Sequence, residues 1–133
     1  MLVAFTFEGT VTDQDSRYLE VNQLYANKNV VLLMQSLNYA GHDIEIWSGI
    51  TEDSLRFREA SYWLDKNGVP YSRLRGRPAS DDPREMKGSE EVYADFIRAD
   101  PGGAPDLVFT NRLVETLELR DLGIQVFALQ DNG

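Results

Sequence analysis

The segment Leu2-Val3-Ala4-Phe5-Thr6-Phe7-Glu8-Gly9-Thr10 decides how the rest of the chain is read. Residues 2–7 are a short apolar and aromatic run. Such a run predicts a strand buried on both faces, and Glu8-Gly9-Thr10 predicts the turn that ends it.

Downstream, residues 11–28 are polar with scattered apolar positions and read as a loop with room for a helical turn. From Asn29 to Ala40, Val30, Val31, Leu33, Met34 and Leu37 fall at helical spacing on one wide face. Gly41 stands where the residue after a helix end belongs. Asp43 to Trp47 alternates polar and apolar, predicting a second strand that runs into Ser48-Gly49. Residues 52–67 have a helical pattern closed by Asn67-Gly68, and Pro70 forbids its continuation. Tyr71 to Leu74 reads as a short segment leading into a polar loop over 75–83, followed by a helix over 84–98. Asp100-Pro101-Gly102-Gly103 is the strongest break in the chain. Leu107-Val108-Phe109 predicts a strand ended by Thr110-Asn111-Arg112. Residues 112–122 predict a helix closed by Gly123, and residues 124–129 a last strand. Strands alternating with helices imply one α/β domain over 1–133, with a mostly parallel sheet, right-handed crossovers and helices on both faces. Sites in such sheets lie beyond the carboxyl ends of the strands. The turns at Thr6 to Thr10, Ser48-Gly49 and Thr110-Asn111 therefore carry the functional reading.

The composition bounds the function. The chain has 133 residues and a formal net charge of −9, which argues against a general DNA binder. Nine of its 13 basic residues lie between Arg56 and Arg98, so a local anion site stays open beside the reading of solvated arginines. There is no cysteine, hence no disulfide framework and no thiolate metal site. No apolar run reaches the roughly 18 residues of a membrane span. The first residues lack a basic region and a cleavage site, so the expectation is a soluble protein of the cytoplasm.

The three turns resemble the signature loops of the haloacid-dehalogenase superfamily. Its first loop reads Asp-x-Asp-Gly-Thr, and Thr6-Phe7-Glu8-Gly9-Thr10 keeps the Gly-Thr. Its second motif is a Ser or Thr at the end of the next strand, here Ser48. Its fourth is an acidic pair, here Thr110-Asn111. The chain is more similar still to the phosphatase domain of phage polynucleotide kinases and their stand-alone phage relatives. Tyr39-Ala40-Gly41-His42, Trp47-Ser48-Gly49, the stretch from Trp63 to Pro70, and Leu74-Arg75-Gly76-Arg77-Pro78 carry that similarity. The resemblance implies a three-layer, Rossmann-like fold with a minimal cap or none, and a phage-encoded protein in the host cytoplasm.

It also implies a chemistry that these residues only partly supply. The family's nucleophile is a carboxylate that becomes an aspartyl phosphate, and Thr6 holds its position. Glu8 holds the position of the carboxyl acid and base. Thr6, Glu8, Thr110 and Asn111 stand where Mg²⁺ would be held, yet only Glu8 is acidic, so weak or no Mg²⁺ binding is expected. Ser48 and Lys87 stand where oxyanion contacts belong, and Gly9, Thr10 and Gly49 frame the substrate. A reading without gaps puts Ser89 in the place of Lys87. Arg75 and Arg77 could clamp a phosphate or be solvated loop residues. Ser48 could equally be a helix cap. His42 lies at the far end of its strand and is not expected in catalysis, and Trp47 and Trp63 are expected in packing. The expected function is a pseudophosphatase that binds a phosphate-bearing ligand, a nucleic-acid end or a protein partner. The alternative is a weak or altered phosphatase acting on nucleotide or polynucleotide 3′-phosphate ends.

Overall fold

The computed structural model describes residues 1–13, 19–79 and 87–129. Five strands form one sheet: β1 Leu2–Thr6, β2 Asp43–Thr51, β3 Arg73–Arg77, β4 Leu107–Thr110 and β5 Val126–Ala128. Their order is β3-β2-β1-β4-β5, and every pairing is parallel. Helices α1 Lys28–Tyr39, α2 Leu55–Lys66, α3 Ser89–Ala99 and α4 Leu113–Asp121 make the crossovers. Their caps follow from side-chain chemistry. Asn27 accepts from the amide of Val30 at the start of α1, and Ser54 from that of Phe57 at the start of α2. Beyond α1, Gly41 takes φ of 93°, which an L side chain rarely adopts.

Each face of the sheet buries its own cluster. Phe5, Ile44 and Ile46 pack with α1 and α2 through Val31, Met34, Trp63 and Leu64. Ala4, Trp47 and Val108 pack with α3 and α4 through Tyr93, Phe96, Ile97 and Leu119. Trp47 is fully buried, with Tyr93 and Phe96 rings 5.4 and 5.5 Å from its own. Trp63 is also buried and donates its indole N–H to the Leu24 carbonyl at 3.1 Å. Both tryptophans are packing residues, as the sequence suggests.

The chain adds strands outward from β1 to β3, then returns to place β4 on the other side of β1. The order reverses between β1 and β4, which is where open α/β sheets form sites. His42 lies at the opposite end of the sheet, where its Nδ1 is 3.0 Å from the amino terminus.

Three expectations need correction. Arg75 and Arg77 belong to β3, not to a loop. The helix expected over 84–98 begins, among the described residues, at Ser89, and residues 80–86 of the loop and helix reading lie outside the described residues. β2, expected to end at Trp47, runs on to Thr51, so Ser48-Gly49 lies within the strand. The helical turn that 11–28 has room for is found among its described residues. Phe7–Val11 is one wide turn, Thr12 and Ala26 form a bridge, and Val21–Gln23 is a short helical turn.

Candidate functional site at the strand ends

The site is built at the carboxyl ends of β1 and β4 and at Ser48-Gly49 in the second half of β2. Thr6 ends β1, and the chain then turns through Phe7–Val11, closed by the Thr12 amide on the Phe7 carbonyl at 3.1 Å. Gly9 takes φ of 77° within this turn, so a side chain there would be strained. The turn brings Thr10 back beside Thr6, with the hydroxyl oxygens 2.7 Å apart.

Thr6, Thr10 and Thr110 are buried and share a directed chain of hydrogen bonds. Thr110 gives its single hydroxyl proton to Glu115 at 2.6 Å. It accepts from Thr6 at 3.2 Å and from the Arg112 amide at 3.3 Å. Each hydroxyl has one proton, so Thr6, having given its own to Thr110, receives that of Thr10. Thr10 in turn accepts the Asn111 amide at 3.1 Å. Ser89 donates to the other oxygen of Glu115 in a short hydrogen bond. The sequence reading missed Glu115. It is 2 % exposed and sits in the first turn of α4, five residues beyond the end of β4. That placement, an acidic residue one helical turn past a strand end, was the available signal. Leu113, Val114 and Leu117 hid it by suggesting the opposite face as the buried one.

Glu8 forms the second half of the site. Ser48 donates to its carboxylate at 2.7 Å, and the Gly49 amide donates at 3.2 and 3.4 Å to its two oxygens. The Tyr93 hydroxyl lies 3.5 Å away and also donates to the Trp47 carbonyl at 3.3 Å. The Ser48 hydroxyl oxygen also accepts the Ile50 amide at 3.0 Å. Glu8 therefore takes up the Ser48 hydroxyl and the Gly49 amide of β2.

Burial governs the electrostatics. It pushes the Glu8 carboxyl above the usual carboxylate range, while hydrogen bonds from Ser48 and Gly49 and the charge of Arg112 pull it partly back. Burial raises Glu115 as well, opposed by Ser89, Thr110 and Arg112. The Tyr93 phenol is pushed well above its usual value, by burial first and then by the charges of Glu8 and Glu115. A carboxyl whose folded-state value is raised contributes its stability below the unfolded-state value of about 4.5 and loses it as pH rises through the folded-state value. Glu8→Gln, which keeps the shape without the charge, is expected to raise the melting temperature at pH 8 and to lose that advantage at pH 4. A lower melting temperature for the variant at pH 8 would contradict this.

The remaining candidates lie around these two networks. Arg77 donates to the carbonyls of Gly49 at 3.4 Å and Lys87 at 2.7 Å, so it braces the second half of β2 against the start of α3. Arg75 points to the Trp47 side of the sheet. It pairs with the buried Glu45 at 3.2 Å and lies 4.1 Å from the centre of the Phe96 ring. Its guanidinium is held by these partners, away from Glu8. Lys87 pairs with Asp95 at 3.1 Å, and it is the Ser89 hydroxyl that reaches the buried network. Gly76 is needed where it stands, since a Cβ there would run into the Ile50 carbonyl. Arg112, which caps α4 without a side-chain hydrogen bond, supplies the positive charge felt by Glu8, Glu115 and Tyr93. A cavity of about 690 Å³ lies elsewhere, between Leu24 and the Tyr62–Lys66 side of α2, and none of the strand-end residues lines it.

The fold is haloacid-dehalogenase-like. Two solved structures of the Pnkp1/Rnl/Hen1 complex, which the second describes as an RNA repair complex, match 99% and 97% of this chain with TM-scores of 0.82 and 0.81. Their sequence identities are 14% and 15%, and this chain spans 46% and 42% of the matched chains. The D,D-heptose 1,7-bisphosphate phosphatase of B. bronchiseptica, solved with magnesium and phosphate, matches 96% of this chain and is itself covered over 79%, at 11% identity and a TM-score of 0.68. No family model matches the sequence, and no curated protein does. No helix among the described residues is long and apolar enough to cross a membrane.

Magnesium, present in that phosphatase, can be tested against the residues here. Mg²⁺ demands near-octahedral oxygen ligands and usually takes one or two carboxylates. At the reversal point Thr6 gives its proton to Thr110 and accepts from Thr10, while Thr110 gives its proton to Glu115 and accepts from Thr6 and the Arg112 amide. Glu8 is turned to Ser48 and Gly49, and Asn111 is neutral. This donor set does not fit Mg²⁺.

Proposed function

We propose that this chain is a pseudophosphatase, a haloacid-dehalogenase-like domain that acts by binding and does not turn phosphate esters over. One observation carries the reading: the Glu8 carboxylate holds the Ser48 hydroxyl and the Gly49 amide. Those are the groups that the family resemblance assigns to the oxygens of the substrate. Thr6 adds to it, since its buried hydroxyl is enclosed by two other threonines. Ligand candidates are a phosphate-bearing molecule, for which the neighbours from an RNA repair complex favour a polynucleotide end, or a protein partner. The expected result is no turnover of a generic phosphate ester or a 3′-phosphorylated oligonucleotide with Mg²⁺ or Mn²⁺. Multiple turnovers in that assay overturn the reading.

One observation favours the alternative of an altered phosphatase on 3′-phosphate ends. The Thr6 hydroxyl donates to Thr110, which donates to Glu115, so the nucleophile position has a proton path to a carboxyl of raised pKa. Activity through that path requires that both Glu115→Gln and Glu8→Gln abolish it.

A further inference from the structure

We propose that Arg112 takes the place of the divalent cation, so that the strand-end face holds a phosphate monoester by a fixed guanidinium charge and without Mg²⁺. The inference rests on the binding reading above and names the group that would do the binding. Three features of the site carry it.

The first is the donor set. The oxygens of three of the four residues at the metal position are engaged: Thr6 with Thr10 and Thr110, Thr110 with Glu115, and Glu8 with Ser48 and Gly49, which leaves only the neutral Asn111 carboxamide. A dication would have to break that network and would also meet the positive charge of Arg112.

The second is the placement of the cation. Arg112 follows directly on the end of β4, and its backbone is fixed there. Its own amide donates to Thr110 at 3.3 Å, and the Asn111 amide donates to Thr10 at 3.1 Å. These two bonds root the residue beside the threonine cluster. Its charge pulls on the carboxyls of both Glu8 and Glu115.

The third is what these side chains leave unused. Among the described residues, neither the Arg112 guanidinium nor the Asn111 carboxamide makes a hydrogen bond or ion pair. The Asn111 nitrogen lies 3.9 Å from the point where a Gly9 Cβ would be, so the carboxamide sits beside the Gly9 turn. A guanidinium has five N–H donors in a planar fork matched to phosphate oxygens, and a carboxamide adds two more. The N–H donors of the pair suit an anion with several oxygens, and the Asn111 carbonyl oxygen is the one neutral ligand it could offer a cation.

The test is calorimetric titration of the whole chain with inorganic phosphate, in EDTA and again in excess Mg²⁺. The expected result is binding of equal strength in both. Arg112→Ala is expected to weaken it about tenfold or more, as for loss of one charge-assisted hydrogen bond. Arg112→Lys should keep part of the affinity, and Asn111→Ala should lose less than Arg112→Ala. Arg98→Ala, an exposed arginine paired with Asp95 and Glu118, should change nothing. Mg²⁺ should not restore binding to Arg112→Ala. Phosphate binding that needs Mg²⁺, an unchanged affinity in Arg112→Ala, or no binding by the unaltered chain each overturns the inference. The proposed lack of turnover fails on a different observation, catalysis, and metal-independent phosphate binding by an active enzyme would leave the Arg112 result standing.

Discussion

Thr6→Asp, which restores the family's nucleophile on paper, is expected to destabilise the protein by about 3 kcal/mol or more at pH 8, the scale for an uncompensated buried charge, and to produce no phosphatase activity. Thr6 is 1 % exposed and donates to Thr110, which already serves Glu115. An aspartate there cannot donate to Thr110, and it adds a negative charge beside the Glu115 network. Arg112 is exposed, so solvent screens its charge and it offsets little of this. Burial would raise the new carboxyl's pKa, so the loss should be largest at high pH and shrink as the group is protonated. Activity stays absent because Thr110 and Asn111 remain neutral. Urea denaturation at pH 5 and pH 8, with a turnover assay in Mg²⁺, checks both halves. Full stability at pH 8, or turnover, would show that the threonine cluster is not the obstacle.

Glu115→Ala should have a comparable effect for the opposite reason. Its carboxylate accepts from Ser89 and Thr110, and Thr110 has no solvent exposure at all. Removing the acceptor leaves two donors unsatisfied at about 1–3 kcal/mol each, so a loss of about 3 kcal/mol is expected. Glu115→Gln behaves differently. Thr110 already accepts from Thr6 and from the Arg112 amide, so it must keep donating, and the carboxamide oxygen can take that bond. Ser89 then turns round to accept from the new amide. The Gln variant should lie within about 1 kcal/mol of the parent. It should gain on the parent as pH rises, because the parent's raised carboxyl loses its contribution over that range. Denaturation curves for both variants at pH 5 and pH 8 decide it. An alanine variant as stable as the glutamine one would remove Glu115 from the account.

Where sequence and structure agree, the information is local. Val30, Val31 and Met34 repeat at helical spacing and are buried, and the glycines at 41, 68 and 123 close helices with φ of 93°, 68° and 81°. Thr6 and Thr110 end their strands where the sequence puts them, whereas β2 runs on past Ser48 to Thr51. Where the reading fell short, the information is tertiary. Arg75-Gly76-Arg77 looks like a loop because two arginines around a glycine do not advertise a strand. It is an edge strand because Arg75 finds the buried Glu45 on β2 and the ring of Phe96 on α3. In α4 the ordinary pattern is inverted. Leu113, Val114 and Leu117 are 69%, 57% and 55% exposed, while Glu115 and Thr116 are buried. Burial there follows the hydrogen-bonding demands of Thr110, which no periodicity encodes. The choice between Lys87 and Ser89 could not be made from spacing either, because it depends on which side chain Glu115 and Asp95 each attract.

The sheet order also has a bearing on the sequence of events by which the chain assembles. β1 lies between β2, about 40 residues on, and β4, about 100 residues on, so its second neighbour is the more distant contact. Closing the longer loop costs more chain entropy, and contacts of large sequence separation slow folding. β1, β2 and β3 can associate first, through neighbouring crossovers. The hydroxyls of Thr6 and Thr110, 104 residues apart, meet only when β4 docks. The threonine cluster therefore forms only together with that docking. It latches the two halves of the sheet, and intermediates that lack β4 would have an unpaired β1 edge and an unfinished site.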